Sequence, residues 1–537
     1  MRRGITRRHF LGGIMLGATT VASSPPVTSR GDDDDARNAA AMTEVDFIDE
    51  RWVEHTYFLT RKVTQPERFL DEPVIGESPA ESNGTVLPTD DGVVMWYTSP
   101  HRVELPGALY QHCTRHAVST DGHAFELPSL GLREHEGTKQ NNIILKHDET
   151  DEDGRPLNGA KGCSGFCVLD AAIQSVPHAR GRYTAMFNTS LPGRPGGLCL
   201  AYSDDGLRWK AYPENPVRVG SSDTYNNFFF DERLSRYVAY IRPSIHAGPS
   251  RVNRLVGRIE SEDMVHWGND RVVLDTDERD APAQGTINIG KDTLGYPRGR
   301  DKQFYGLTVT PHQDLYLGFA SFYDVVPGTM WSELVHSYDG VHWRREPKRD
   351  PFIPLGPEGA WDCGMVFFIS AGSPVPIGDY WYIYYTGTNW DHHSQIRSMK
   401  EKGRLRMIGA VRLKRGRLVG YETGRVEETG HDSNGARAVP PDRADKGDLL
   451  TRPFEMGGSV LFLNADAKSG SVVVEICDAT GQPLPGLSQK EAIPIREDGL
   501  RLPVSFQGGA SVAKLRGQSV RLRIHLVRAS VYGLALG

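Results

Sequence analysis

Short apolar runs rich in Val, Tyr, Phe and Trp follow one another along most of the chain, separated by Asp-Gly and other tight turns. Runs of this length and composition are typical of β-strands. They fall into five units with the same strand order, which begin near Gly84, Gly165, Asn226, Phe304 and Met365. Five units of three or four antiparallel strands predict a five-bladed β-propeller, in which radial closure protects the strand edges.

A hairpin signature marks four of these units. It reads Ser-Thr-Asp-Gly-His-Ala-Phe at 119–125, Ser-Asp-Asp-Gly-Leu-Arg-Trp at 203–209, Ser-Glu-Asp-Met-Val-His-Trp at 261–267 and Ser-Tyr-Asp-Gly-Val-His-Trp at 337–343. Its unequal spacing indicates one repeated unit with loops of different lengths. Because a repeated residue is not specific to one active site, we expect the Asp to accept backbone hydrogen bonds in the turn and the Trp to pack between blades.

The pattern changes after about Pro440. Six short strand-like runs follow, from Leu449–Pro453 to Ser530–Leu536, and they predict a β-sandwich of roughly a hundred residues. The predicted domains are an all-β propeller over 44–425, a linker over 426–448 and a C-terminal β-sandwich over 449–537.

The first 24 residues have a different composition. Arg7 and Arg8 open a motif that continues into an apolar run ending near Ala22, and this resembles a twin-arginine export signal. The run is too short to cross a bilayer, and the alternative is a disordered basic tail. Residues 25–43 include four consecutive aspartates and predict a disordered linker. We therefore expect a periplasmic or secreted protein.

Charge and cysteine usage narrow the possible partners. A formal net charge of −6 argues against a nucleic-acid partner, and no later apolar run is long enough for a membrane span. Six cysteines are few for this length. Cys163 and Cys167 lie near each other, but without a second pair or a His cluster they predict no metal site. No cofactor is expected, and the sequence does not fix the oligomeric state.

A propeller with Ser-x-Asp-Gly-x-x-Trp hairpins followed by a β-sandwich resembles the furanosidase-type glycoside hydrolases, particularly families 32 and 43, over about residues 70–537. The matching stretches are Ser221–Glu232 and Ala360–Gly364 before two blades, and Leu449–Phe454 and Leu461–Asp466 in the sandwich. The resemblance implies an enzyme that cleaves glycosidic bonds in an oligo- or polysaccharide. Such folds are compatible with a structural calcium ion, although no ligand string marks one here.

The chain departs from family 32 in its catalytic motifs. It has no Asn-Asp-Pro-Asn-Gly stretch at the first blade and no Arg-Asp-Pro or Glu-Cys motif in the expected places. The family's catalytic residues are therefore not carried over. Candidates come instead from the mouth, the face where the first strand of each blade begins and the second ends, because the long loops lie there.

Three acids precede first strands and are the candidate catalytic residues: Asp223, Asp362 and Glu81. Glycosyl transfer to water needs two carboxylates, one on each side of the scissile bond. We expect Asp223 to act as base or transition-state stabiliser and Glu81 or Asp362 to donate the proton. The alternatives are turn caps for Asp223 and Asp362, and a solvated surface acid for Glu81.

Further residues near the mouth are suited to sugar hydroxyls. Arg242 interrupts an apolar strand and needs an acidic partner if buried, which Asp223 can supply. Trp361 is suited to stacking on a sugar ring, and for His392 substrate contact or surface exposure is favoured over metal binding. The predicted substrate-binding residues are Arg242, Trp361, Asn188, Tyr323, Asn389 and His392.

Two other functions remain open at this point. A glycoside phosphorylase of related fold would need several basic residues at the mouth, and Arg242, Arg251 and Arg254 meet this condition. A non-catalytic glycan-binding propeller would explain the missing family motifs. Fold alone does not decide among them.

Overall fold

A computed structural model describes residues 44–77, 79–105, 108–220, 222–223, 225–243, 254–280, 302–394, 405–423 and 445–537. Within these ranges there is no α-helix, and the helical elements are short 3-10 turns at Glu278–Asp280, His392–Ser394, Gln507–Gly509 and Val512–Leu515. The predicted all-β class is confirmed. The export signal, the linker over 25–43, most of the second linker and Arg251 lie outside the described residues. No helix of the described part is both long and apolar enough to cross a bilayer.

Three strands precede the propeller, whose strands follow as consecutive antiparallel groups, and the last two groups share one eight-stranded sheet. The leading strands are β1 (Glu44–Asp46), β2 (Val53–Tyr57) and β3 (Thr60–Val63). The first group has β4 (Glu81–Thr89), β5 (Gly92–Leu105), β6 (Ala108–Ser119) and β7 (Ile143–Leu145). The second has β8 (Ser164–Asp170), β9 (Tyr183–Ser190), β10 (Gly196–Ser203), β11 (Lys210–Ala211) and β12 (Arg218–Val219).

The remaining groups follow the same antiparallel order. The third has β13 (Asn227–Asp231), β14 (Arg236–Ile241), β15 (Val256–Ser261) and β16 (Gly268–Leu274). The fourth has β17 (Lys302–His312), β18 (Leu315–Asp324), β19 (Thr329–Ser337) and β20 (Trp343–Arg345). The fifth has β21 (Met365–Phe367), β22 (Val375–Ile377), β23 (Tyr380–Thr388) and β24 (Arg406–Lys414), and one parallel pair, Met330 with Met365, joins it to the fourth.

The first strands lie around a common axis because hydrogen bonds link each group to the next. Each link involves a side chain or backbone group of an innermost strand and a backbone group of its neighbour, so the ring closes without a free edge at its centre. The links are Thr85 Oγ1 to the Phe166 carbonyl (3.1 Å), Cys167 Sγ to the Phe228 carbonyl (3.8 Å), the Val309 amide to Asn227 Oδ1 (2.8 Å), Thr308 Oγ1 to the Ile369 carbonyl (2.6 Å) and the Val86 amide to the Ala371 carbonyl (3.0 Å).

The repeated hairpin has the scaffold role predicted for its aspartates. In the second group Asp205 Oδ1 accepts the amides of Leu207 (2.8 Å) and Arg208 (2.7 Å), and Gly206 has a φ of 73°. The turn also docks on its neighbour, because the Trp96 indole of the first group donates to the Gly206 carbonyl at 2.8 Å. Tyr240 bonds the Gly340 carbonyl and Tyr384 bonds the Gly122 carbonyl in the same way.

The segment between Ser99 and Cys113, one of the long loops expected at the mouth, is instead part of a long hairpin. Strands β5 and β6 stay paired from Val93–Ser119 out to Leu105–Ala108. Pro100 pairs with His112, whose amide is directed away from β5 to the Lys161 carbonyl at 2.9 Å. Proline is tolerated at such a position because the ladder does not need its missing N–H. The first group therefore projects a two-stranded arm beyond the mouth.

The outer edge of the fifth group is covered by the segment before β4. Glu67 forms a bridge with Arg412, and Ile75 forms one with Ile408. The fifth unit lacks the aromatic hairpin of the other four, and this earlier segment closes its edge in place of a further strand. The ring is thus completed by a part of the chain that precedes its first strand.

The C-terminal strands form two packed sheets. They are β25 (Val419–Glu422), β26 (Lys446–Thr451), β27 (Phe454–Glu455), β28 (Leu461–Asp466), β29 (Ser471–Asp478), β30 (Asp498–Pro503), β31 (Ser519–Val527) and β32 (Ser530–Leu536). One sheet has the order β3-β25-β32-β28-β30 with β1 beside β32, and the other has β2-β26-β31-β27 with β29 beside β31.

Strands β1, β2, β3 and β25 lie in the range that the sequence assigned to the propeller, but they belong to the two sheets of the sandwich. Val45 and Phe47 are buried in the sandwich core, whereas Ile48 is buried with residues of the fourth and fifth groups. The pattern around Phe47 shows that a segment is apolar and buried, but not which of two cores it enters. These few residues fasten the two domains together.

Candidate functional site

Nine side chains from four of the five groups gather at the mouth. They are Glu81, His112, Asp223, Arg242, Arg254, Tyr305, Tyr323, His392 and Arg406. The set contains two carboxylates, three guanidinium groups, two phenols and two imidazoles. Acidic, basic and aromatic groups are therefore all present at one end of the ring.

Asp223 lies in a constrained loop just before β13. Its φ is 55° and that of Tyr225 is 60°, and such values are unusual for residues other than glycine and outlying for a bulky one. Tyr225 anchors the loop, since its buried hydroxyl contacts Ser321 Oγ and accepts the Ile369 amide at 3.2 Å. Gly306 makes room for the ring, because a Cβ there would lie 2.2 Å from it. Backbone strain of this kind is often kept where it positions a functional group.

The Asp223 carboxylate is exposed and forms an ion pair with Arg242. The side chain of Asp223 is 59% exposed and that of Arg242 is 15% exposed. Arg242 also donates to the Tyr305 carbonyl at 2.8 Å, and its guanidinium carbon lies 4.7 Å from the Tyr305 ring centroid. The partnership predicted between Arg242 and Asp223 is confirmed, and it points the carboxylate toward solvent at the mouth.

Glu81, at the start of β4, is buried and forms an ion pair with Arg406 at the start of β24. Both residues are only 4% exposed. Arg406 in turn lies over the Trp390 ring at 4.8 Å from its centroid. A buried charge is stable only when it is paired, and the guanidinium therefore stabilises the negative charge of Glu81. Glu81 is thus not a solvated surface acid.

The loop of Asp223 is fastened to the second group through Ser222. The Ser222 amide donates to Asn188 Oδ1 at 3.2 Å, and its hydroxyl donates to Asn226 Oδ1 at 2.5 Å. Asn188, predicted to bind substrate, thus holds the backbone next to Asp223 in place. Its amide is part of the framework of the mouth.

Ser164 connects this loop with the strand that carries Glu81. Asn226 Nδ2 donates to the Ser164 carbonyl at 3.5 Å, and Asn83 Nδ2 donates to Ser164 Oγ at 3.4 Å. Asn83 lies two residues after Glu81 on β4. One continuous series of polar contacts therefore runs from Asp223 to the neighbourhood of Glu81.

His112 lies within electrostatic reach of both carboxylates. Burial lowers its pKa, and the neighbouring charges of Glu81 and Asp223 oppose that effect. Its Nδ1 lies 3.2 Å from the Lys161 carbonyl, so a neutral ring that donates there leaves Nε2 as an acceptor. His112 sits on β6 of the projecting arm and was not among the sequence candidates, because its loop was expected to be irregular.

His392 and Tyr323 form an aromatic wall of the mouth. Tyr323 Oη lies 3.1 Å from His392 Nδ1, and the His392 ring lies 5.6 Å from the Tyr305 ring. Burial lowers the pKa of His392 well below its usual range, and Arg254, His393, Arg242 and Arg406 act in the same direction. Asn389, directly after β23, accepts the Leu405 amide at 2.9 Å and so holds the loop that precedes β24.

Asp362 and Trp361 are placed elsewhere. Asp362 is 1% exposed, pairs with Arg68 and accepts the Tyr385 hydroxyl at 2.7 Å. Trp361 stacks on Tyr385 with ring centroids 5.8 Å apart. Its indole also covers Gly387 and Gly409, where any Cβ would lie within 3 Å of the ring.

Strand alternation explains why Asp362 is separated from Glu81. Tyr385 packs with the cluster shared by the fourth and fifth groups, whereas Thr386 bonds Ser82 next to Glu81. Successive residues of a strand point to opposite faces of the sheet. Asp362 and Glu81 therefore lie on opposite faces of the fifth group, and the structure does not bring Asp362 together with Asp223.

A cavity of about 20 Å³ lies on the axis below the mouth, and it has room for about one water molecule. Its lining comes from the innermost strands and includes Asn83, Cys167, Tyr225, Asn226 and Thr308. The described residues contain no group of three or more His, Cys, Asp or Glu side chains placed to hold a metal ion.

Three solved structures illustrate what the chain aligns with. An N-acetylgalactosamine deacetylase from F. plautii, in complex with blood group B trisaccharide, is 15% identical over 67% of this chain and 97% of that one, with a TM-score of 0.40. A thermostable family-43 glycoside hydrolase is 13% identical over 65% and 93%, with a TM-score of 0.41. A glycosyl hydrolase from Bacteroides ovatus is 13% identical over 70% and 98%, with a TM-score of 0.40.

No protein-family model matches the chain, and no curated protein matches it. Likeness to solved structures at this level bears on neither substrate nor reaction. The assignment of function therefore depends on the side chains of the mouth.

Proposed function

We propose that the protein is an exported glycoside hydrolase that cleaves glycosidic bonds at the mouth, with Glu81 and Asp223 as its two carboxylates. The observation that supports this is their convergence from the first and third strand groups. The charges of both carboxylates influence the pKa of His112, and the polar contacts through Ser164 connect the loop of Asp223 with the strand of Glu81. Two carboxylates that flank one site are the minimum requirement for glycosidic hydrolysis.

The surroundings of the two carboxylates support different roles. Glu81 is buried against the buried Arg406, which holds its carboxylate in place and suits it to act as nucleophile or base. Asp223 is exposed at the mouth and pairs there with Arg242, so it is the carboxylate that a substrate reaches from solvent. This changes the role that the sequence suggested for Glu81, whose burial and pairing with Arg406 could not be read from it.

The test is hydrolysis of a panel of aryl glycosides and oligosaccharides by the wild type, Glu81→Gln and Asp223→Asn. We expect each variant to lose about 100-fold or more in kcat/KM while remaining folded, since a general acid, base or nucleophile contributes at least that much. Azide should restore turnover to the variant that lacks the nucleophile or base, with an inverted product configuration if a glycosyl-enzyme is involved.

Two matched controls separate chemistry from the loss of an ion pair. Glu333→Gln removes an equally buried carboxylate from Arg345, and Asp314→Asn removes a similarly exposed one from Arg51. Both controls should keep full activity. Unchanged turnover in Glu81→Gln and Asp223→Asn would contradict the proposal, and glycan binding without turnover by the wild type would favour a non-catalytic propeller.

A further inference from the structure

Two arginines and two aromatic rings form a stack at the mouth. The guanidinium carbon of Arg254 lies 5.2 Å from the Tyr305 ring centroid and 5.3 Å from that of Tyr323. Arg242 lies over the same Tyr305 ring at 4.7 Å. Stacking on an aromatic face fixes the plane of a guanidinium while leaving its N–H edge available for a ligand.

Among the described side chains of the mouth, positive charges outnumber negative charges. Arg242 faces Asp223 and Arg406 faces Glu81, whereas Arg254 has no carboxylate partner within the described ranges. The side chain of Arg254 donates to the amide oxygen of Gln303 at 3.1 Å. An uncharged amide does not neutralise a guanidinium, so the described residues of the mouth carry one positive charge in excess.

The charge of Arg254 influences the neighbouring His392. His392 packs on Tyr323 with ring centroids 4.9 Å apart and lies next to the Arg254 stack. After burial, Arg254 is the largest influence that lowers the pKa of His392. The imidazole is therefore held neutral, as expected for a buried ring beside a cation.

Resting on the function proposed above, we infer that Arg254 binds an oxyanion carried by the glycan, a carboxylate or a sulfate ester on a sugar next to the scissile bond. The planar guanidinium matches such groups with two parallel hydrogen bonds. Sugar hydroxyls carry no charge, so they would leave the charge of Arg254 unpaired among the described residues. Free phosphate has the same oxyanion chemistry and is the other source that could fill this position.

The test is calorimetric binding of the intact protein to an oligogalacturonate, to its carboxyl-reduced neutral counterpart, to a sulfated galactan oligosaccharide and to inorganic phosphate. We expect Arg254→Gln to weaken binding of at least one anionic ligand 10-fold or more and to leave the neutral counterpart unchanged. Wild-type affinity for that ligand should also fall with rising salt, because the interaction is charged.

Arg233→Gln is the matched control. Its guanidinium carbon lies 4.1 Å from the Tyr316 ring centroid, but it sits in the turn between β13 and β14, at the far end of the group from Arg242. This variant should bind every ligand like the wild type. Equal affinities of wild type and Arg254→Gln for all anionic ligands, or a preference of the wild type for the neutral glycan, would overturn the inference.

Two further outcomes separate this inference from the proposed function. Arg254-dependent binding of an anionic glycan by a protein that shows no hydrolysis would support the anion site while removing the hydrolase. Arg254-dependent binding of inorganic phosphate, with phosphate-stimulated cleavage of a neutral glycan, would support the oxyanion position and identify free phosphate as its source.

Discussion

The Asp223 carboxylate contacts the Arg242 guanidinium, and the other amino group of that guanidinium donates to the Tyr305 carbonyl at 2.8 Å. Arg242 thus fixes an exposed carboxylate relative to β17. Replacing it frees Asp223 and removes a cation from the mouth without opening a buried core.

We expect Arg242→Ala to lower kcat/KM on a cleaved glycan by about 100-fold, since losing one preorganised charged group at a reacting centre typically costs that much. Steady-state kinetics and thermal unfolding of the same preparation would measure the effect. Arg51→Ala is the comparison, because Arg51 pairs with Asp314 at similar exposure but lies at the domain boundary. Equal activity of the two variants would contradict a role for Arg242.

Asp362 should matter for stability and not for turnover. Its Arg68 partner is partly exposed, so we expect Asp362→Asn to lower the free energy of unfolding by about 2 kcal/mol, less than the loss for a fully buried pair. Denaturant unfolding would measure this. Folded Asp362→Asn that hydrolyses glycans at the wild-type rate supports the placement described above, whereas loss of kcat in a stable variant would return Asp362 to the candidate site.

Phe47 should stabilise the sandwich, although it precedes the propeller in sequence. It is fully buried in the sandwich core, and Phe47→Ala should cost about 3 to 5 kcal/mol. Hydrogen exchange followed by mass spectrometry should then show faster exchange in β26 and β32 than in β4 and β5. Faster exchange confined to the propeller would show that residues 44–63 stabilise the propeller instead.

Stability should fall between about pH 6.5 and pH 4. Burial lowers the pKa of His101 and of His116 to about 4. The unfolded chain binds protons at these sites from about pH 6.5 downward while the folded protein does not, so the stabilisation is complete above that pH and is lost as the pH falls toward 4. Denaturation at pH 7 and pH 4.5 should show a smaller pH effect in His116→Gln and an unchanged one in the exposed control His55→Gln.

Export remains a prediction from the first residues. Changing both Arg7 and Arg8 to Lys should leave the uncleaved precursor in the cytoplasm, because the pair is the element that the twin-arginine pathway recognises. Cell fractionation with an antibody to the folded domains would measure this. Unaltered export of the double variant would show that a different route is used.

The sequence predicted much of the scaffold because turns and strands depend on residues that are close together in the chain. Asp205 and Gly206 act within one turn, and the apolar runs around Phe228 and Tyr384 form strands from their own composition. The same local reading placed Asp223 beside Arg242, since both belong to the third strand group.

The remainder depended on contacts between distant segments. Arg406 and Glu81 come from the fifth and first groups, and His112 reaches the mouth only because β5 and β6 extend into an arm. Asp362 precedes a first strand like the other acids, but its side chain leaves from the opposite face of the fifth group. The face of the sheet on which the side chain of a loop residue lies depends on packing between distant segments, which no local sequence pattern shows.

The pairing of β1 with β32 has a consequence for the order of events during synthesis. Glu44 finds its partner only when Ala535 has been made, so the sandwich cannot close before β32 has left the ribosome. Until then the earliest described strand lacks its partner and is exposed to chaperones and proteases.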